Sequence, residues 1–215
     1  MLIIGAKGFA KEVLEVVYQN KNIDNLCFYD DVNNDAPDFL YGNFPVLKTK
    51  EAAINYFNTI DNRFTIGIGN PVLRKKLYDT FTSIGGLFTS TISPLANIGS
   101  FDVEIGLGSN VLSGATFSNS VTLGMGCIIY YNSIITHDCI IGDFVEISPN
   151  VTILGRCKIG VFTHLGASAT ILPDVVIGKN VIVGAGSVVT KDIPDNCLVV
   201  GVPAMIKKEL PKLLF

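Results

Sequence analysis

Several things are scarce in this sequence, and each scarcity excludes something. Net charge is only −3 and no long basic run occurs. That argues against nucleic-acid binding, which normally shows as a positive patch or stripe, but leaves room for a small anionic ligand held by a few local groups. Long apolar runs are missing too. Although 48% of the 215 residues are apolar, no window approaches the ~18–20 apolar residues that cross a bilayer. The opening MLIIGAKGFAKEV breaks its apolar run at Gly5, too early for a signal-peptide core. The expectation is a cytoplasmic protein without membrane insertion. The five cysteines (Cys27, Cys127, Cys139, Cys157, Cys197) are odd in number and contain no C-x-x-C pair, so neither a disulfide framework nor a zinc site is expected. Histidine is scarcer still, with only His137 and His164.

What is present divides into two patterns. Up to about residue 86, short apolar runs alternate with helical spacing. Strands are expected at 2–5, 26–31 and 64–69. A helix is expected at 9–20, with Phe9, Val13, Val16 and Val17 on one face. A second helix is expected at 70–81, opened by Asn70 as cap and Pro71 at its first position. Alternation of this kind implies a small parallel α/β sheet.

From about residue 92 a repeat of six takes over. Stepping by six from Ile105 to Val189 meets fifteen apolar residues without exception, mostly isoleucine. At half apolar content, chance gives such a run about 3 times in 100,000. Two residues before each comes a smaller one, and Cys127, Cys139 and Cys157 fall in that column. Gly106, Gly124, Gly142, Gly160 and Gly178 add a beat of eighteen, three hexapeptides long. This is the signature of a parallel β-helix of about five triangular coils, with glycine stacked where a side chain would obstruct the corner.

In that register Ile135 points inward, so His137 and Asp138 are displayed at the corner that follows it. A carboxylate beside an imidazole can orient it or stabilise its charge, which suits a general base. His164 lies 27 residues on and reads as a corner residue on another face. In the amino-terminal half, GAKGFA (5–10) separates a strand from a helix, a place where backbone N–H groups can meet a phosphate. Its G-x-x-G-x-A spacing is not a dinucleotide fingerprint. Asp30 and Asp31 end the next strand, about where an acid would meet a ribose hydroxyl. Only one mononucleotide-sized half precedes the coils, which favours a nucleotide-sugar over NAD.

The repeat resembles the left-handed β-helix of the hexapeptide-repeat acyltransferases. The whole chain resembles the sialic-acid and pilin-glycosylation branch of sugar acetyltransferases through GAKGFAKEV, FYDD, THDCIIGDF and VVGVPA. The resemblance implies a Rossmann-like α/β domain over 1–86 and a left-handed parallel β-helix over 87–215, with acetyl-CoA as co-substrate. It implies a homotrimer with active sites between subunits, acting on a nucleotide-linked amino sugar such as a 4-amino-4,6-dideoxyhexose in surface-glycan synthesis. Carried over by position, Gly5, Gly8 and Phe9 line the diphosphate loop, and Asp30 meets the nucleoside. His137 is the base and Asp138 its partner. Gly155, Ala167 and Ala185 contact the pantetheine arm, and Pro203 lies in the cofactor-side element Gly201–Ala204. Lys207 and Lys208 follow it, read equally as contacts to the coenzyme phosphates or as solvated surface charge.

Family members often carry a second histidine nine residues after the base, near the thioester; here that residue is Glu146. Zinc carbonic anhydrases built on a similar prism need three histidine ligands, and two per chain do not supply them, so no metal is expected. Two other readings stay open: O-acetylation of a sugar or sialic-acid hydroxyl, and a β-helix without chemistry.

Overall fold

In the computed structural model, which describes residues 1–33 and 35–213, the first part of the chain runs β1 (Leu2–Ile4), α1 (Gly8–Gln19), β2 (Cys27–Tyr29), β3 (Phe39–Leu40), β4 (Phe44–Leu47), α2 (Lys50–Thr59), β5 (Arg63–Ile66), α3 (Pro71–Ser83) and β6 (Leu87–Phe88). These strands form one sheet in the order β3-β4-β2-β1-β5-β6. Every pairing is parallel except β3 with β4.

The strands and helices expected here are all present, each of the three strands shorter than its apolar run suggests. The cap on α3 is as expected, Asn70 accepting from the Leu73 N–H at 2.9 Å. The sequence pattern missed α2, which Thr49 caps (3.2 Å from Ala52 N–H) and which buries Ala53, Tyr56 and Phe57. It also missed the two-residue strands β3 and β6 and the proline-bearing β4, whose runs are too short to show a period.

The coil begins at Thr91–Ile92 and turns through three parallel sheets. Successive coils pair eighteen residues apart, as in Ile128↔Glu146 on the first face, Ile134↔Thr152 on the second and Ile140↔Lys158 on the third. Handedness is that of the left-handed parallel β-helix. From Val111 to Val189 each sixth residue is buried, and with the smaller column it forms one continuous core. Cys127, Cys139 and Cys157 lie in that core as free thiols. Truncating any of its isoleucines to alanine would cost ~2–5 kcal/mol.

The register extends one coil below Ile105, but with a slip: Phe117 pairs Ile98, nineteen residues away. It ends in an antiparallel hairpin, Cys197–Gly201 with Ala204–Glu209.

The corner turns out to have two distinct parts. The stacked glycines are needed for close approach, since a Cβ on Gly106 or Gly160 would stand 2.4 Å from the glycine backbone one coil on. The turn itself is made two residues later. Every sixth residue from Asp102 to Gly186 has a positive φ, the left-handed region that Gly, Asn and Asp enter most readily. Asp138, at φ 60°, is one of them.

The α/β domain sits on the first face of the coil. Thr65 donates to the Asn110 side chain at 2.9 Å, and Asn110 donates to the Ile66 carbonyl at 3.0 Å. Phe9 packs on Tyr130, ring centroids 5.1 Å apart. Among the described residues no helix is long and apolar enough to cross a membrane.

Candidate active site

His137 follows the strand Ile134–Ile135 on the second face, at the corner its register assigned. Its side chain is 53% exposed, and Nδ1 lies 2.7 Å from Asp138 Oδ2. A carboxylate can only accept, so this contact puts the proton on Nδ1 and leaves Nε2 with a free lone pair. One coil above stands Gly155, and a Cβ there would come within 2.6 Å of His137 Cε1 and 2.7 Å of Nε2. Glycine at 155 is what lets the imidazole lie against the coil. The backbone holds the corner as well, with Arg156 N–H donating to the His137 carbonyl at 3.0 Å.

A second site lies at the carboxyl ends of β1, β2 and β5. It is a cavity of about 370 Å³ lined by Gly5, Gly8, Phe9, Asp30, Asp31 and Gly69, among others. The chain leaves β1 towards β2 on one side and later returns to β5 on the other, so the cavity sits at a topological switch point, where open α/β sheets bind ligands. Gly5 has φ +106°, and a Cβ there would press to 3.0 Å on the Gly67 carbonyl; a Cβ on Gly8 would meet no protein atom within 4 Å. The first turn of α1 has no acidic residue and no side-chain cap. Its N–H groups are therefore available to an anion.

The two aspartates differ in their surroundings, although both line the cavity. Asp30 is buried and its carboxylate accepts from the Val32 and Asn33 backbone and from the Asn33 side chain at 2.9–3.3 Å. It shapes the loop. Asp31 is exposed at the cavity, near the Tyr29 hydroxyl; burial and this acid push the hydroxyl's pKa well up.

Glu146 and His164 face the α/β domain. They are cross-coil neighbours on the first face, so His164 lies mid-strand rather than at a corner. His164 Nε2 is 2.9 Å from Ser148 Oγ and 3.8 Å from Glu146 Oε1. Glu146 in turn lies 3.6 Å from the guanidinium of Arg74 on α3, whose side chain is 1% exposed. Arg74 donates to the carbonyls of Gly126 (3.0 Å), Phe144 (2.7 Å), Val145 (3.1 Å) and Gly69. Burial lowers its pKa and Glu146, the nearest acid, raises it again. Sequence reasoning missed Arg74, because a basic residue on a helix normally reads as solvated. The Glu146–His164 pairing was available, being one eighteen-residue beat.

The proposed coenzyme contacts fall into two groups. Gly155 shares the second-face corner with His137. Ala167 and Ala185 stack at the first-face corner, joined by the Gly186 N–H to the Ala167 carbonyl at 2.8 Å. One chain thus places them on different edges of the prism. Pro203 sits in the exposed turn of the terminal hairpin, and Lys207 is the extra residue where the hairpin register shifts between Leu198 and Val199.

Comparison with known proteins places the fold in a family. The PglD N-terminal domain family matches residues 1–81, and the bacterial transferase hexapeptide family matches residues 156–191. No curated protein sequence matches significantly. Among solved structures, the chain is similar to PerB from Caulobacter crescentus in complex with CoA and GDP-perosamine (31% identity, 96% of each chain, TM-score 0.88). It is similar to WeeI from Acinetobacter baumannii (32% identity, 96% of this chain and 98% of that one, TM-score 0.84). The acetyltransferase domain of PglB from Neisseria gonorrhoeae, in complex with acetyl coenzyme A, also aligns (28% identity, 96% of this chain and 98% of that one, TM-score 0.85).

Proposed function

The chain belongs to the hexapeptide-repeat sugar acetyltransferases that carry a PglD-type amino-terminal domain, and from that premise we propose that it transfers acetyl from acetyl-CoA to the amine of a nucleotide-linked amino sugar, with His137 as general base. The observation that carries the reading is the His137–Asp138 contact at 2.7 Å, seated over Gly155 on an open corner.

In the proposed step the amine nitrogen attacks the thioester carbonyl as Nε2 of His137 takes its proton. The C–N bond forms, backbone N–H groups hold the oxyanion, and the C–S bond then breaks. The thiolate of CoA recovers a proton from the imidazolium. Asp138 keeps the ring in the accepting tautomer and stabilises its charge. The nucleotide lies in the 370 Å³ cavity, its diphosphate on the first turn of α1 and its ribose near Asp31, with a 4-amino-4,6-dideoxyhexose as the sugar.

A homotrimer completes the site in this reading, and two features of the single chain support it. The nucleotide cavity abuts the first face, whereas His137 stands at the corner after the second. Gly155 and the Ala167–Ala185 pair likewise occupy different edges, so one pantetheine arm touches both groups only between two copies. Ile134 and Ile140 are exposed on the faces that the α/β domain leaves uncovered, as coil-to-coil packing requires.

The test is thiol release from acetyl-CoA with UDP-, dTDP- and GDP-linked 4-amino-4,6-dideoxyhexoses, with product mass as readout. Acetylation of one of the three is expected. Silence with all three, on protein that still binds acetyl-CoA, would turn the reading to a hydroxyl acceptor; silence without binding would leave a coil that does no chemistry.

A further inference from the structure

The nucleotide cavity borders a second one. A second cavity of about 330 Å³ shares Gly69 with it and is walled by Asn70, Pro71, Glu146, His164 and Asn180. Gly69 has no side chain to close the junction, and a Cβ there would lie 3.5 Å from Glu146 Oε2. Glu146 therefore stands in the second space, beside the residue that both share.

Sheet order fixes which part of a nucleotide-sugar would reach it. The phosphate loop after β1 is central, with β2 on one side and β5 on the other. Asp31 follows β2 and lies on one flank; Gly69 follows β5 and lies on the opposite flank. A diphosphate on the central loop with its ribose at Asp31 sends its hexose past Gly69. Its destination is the space that Glu146 and His164 line.

The chemistry of that wall is selective. Glu146 lies beyond hydrogen-bond distance of both its neighbours, at 3.6 Å from Arg74 and 3.8 Å from His164. It is held in place, yet its oxygens can accept closer donors. Tyr130, packed on Phe9 at the same edge, has its hydroxyl pKa pushed up by burial and then by the charge of Glu146.

We propose that Glu146 and His164 form the hexose subsite, and that Glu146 selects a sugar carrying a protonated amine over the corresponding hydroxyl sugar. This rests on the function proposed above and extends it to acceptor choice. A carboxylate gains about twice as much from an ammonium donor as neutral groups gain from one another. Glu146 acts in binding alone. The ammonium proton leaves to solvent before attack, and His137 takes the second proton during transfer.

The experiment measures binding of UDP-, dTDP- and GDP-linked 4-amino-4,6-dideoxyhexoses, of the matching 4-hydroxy sugars, and of free UDP, dTDP and GDP. The proteins are wild type, Glu146→Gln and His164→Ala; the last does not touch Arg74 and keeps the test alive should Glu146→Gln fold poorly. For the nucleotide that binds, Glu146→Gln should weaken the amino sugar by about ten- to a hundredfold and change the free diphosphate by less than about twofold. His164→Ala should weaken the amino sugar by about tenfold, again sparing the free diphosphate. Equal weakening of sugar and free diphosphate, or unchanged amino-sugar binding in both variants, overturns the subsite. A wild type that binds none of the nucleotides fails the proposed function and takes the subsite with it. Normal binding by every protein sinks the subsite alone.

Discussion

The two histidines stand beside acids in different ways. His137 is paired with the next residue, at 2.7 Å, on a corner open to solvent. His164 is paired with a residue eighteen positions back, at 3.8 Å, on a face covered by the α/β domain, and its close contact is the Ser148 hydroxyl at 2.9 Å. The first arrangement pairs two adjacent residues of one corner, and the next coil only makes room for the ring at Gly155 and holds its backbone through Arg156. The second exists because two coils stack, and its acid is further tied to a helix from another part of the chain. Both are polar clusters on an apolar prism. One presents a lone pair outward; the other lines a cavity.

Substitution should separate the two sites. His137→Ala should lower kcat by about 10²–10⁴-fold with the melting temperature and the KM for the nucleotide-sugar unchanged; a normal turnover number would remove His137 from the chemistry. Arg74→Met strikes the other site. It strands Glu146 without its counter-charge and leaves buried carbonyls without donors, so chemical denaturation should report a loss of about 3–5 kcal/mol. A loss under about 1 kcal/mol, no more than an exposed pair contributes, would show that Arg74 does not hold the domains together.

Gly155→Val returns to the corner. Its side chain would occupy the space of the imidazole, and a misplaced base should cost about a hundredfold in kcat, leaving nucleotide affinity as it was. Smallest is Asp138→Asn. Asparagine tolerates the φ of 60°, so the fold should persist. Loss of one charged, solvent-exposed hydrogen bond should lower kcat by about tenfold. If this variant fell as far as His137→Ala, the acid would be doing more than orienting the ring.

Much of this contrast was legible in advance. The position of His137 followed from the inward register of Ile135, and its exposure was read correctly. The loop at the cavity was also visible, as a glycine-bearing junction between strand and helix. Asp138 carried two signals at once, since its corner site asks for a residue that accepts positive φ and its carboxylate also meets the imidazole. His164 was read as a corner residue, although the step of six places it immediately before inward Leu165 and hence on a strand. Asp30 was expected to meet the nucleoside; the spacing did not show that its carboxylate also holds the loop that follows it. Nothing in the spacing of α3 marked Arg74 as buried.

The sequence by itself determined the prism, its core and the corner that carries His137, because a parallel coil repeats one geometry and each side chain's direction follows from its place in the six-residue step. Tertiary structure decided the rest. Which face the α/β domain covers, how deep Arg74 is buried and where Gly69 joins two cavities all depend on the docking of non-periodic segments onto a periodic one. Those contacts are made by shape and by carbonyls held in place from elsewhere in the chain, and no local pattern encodes them.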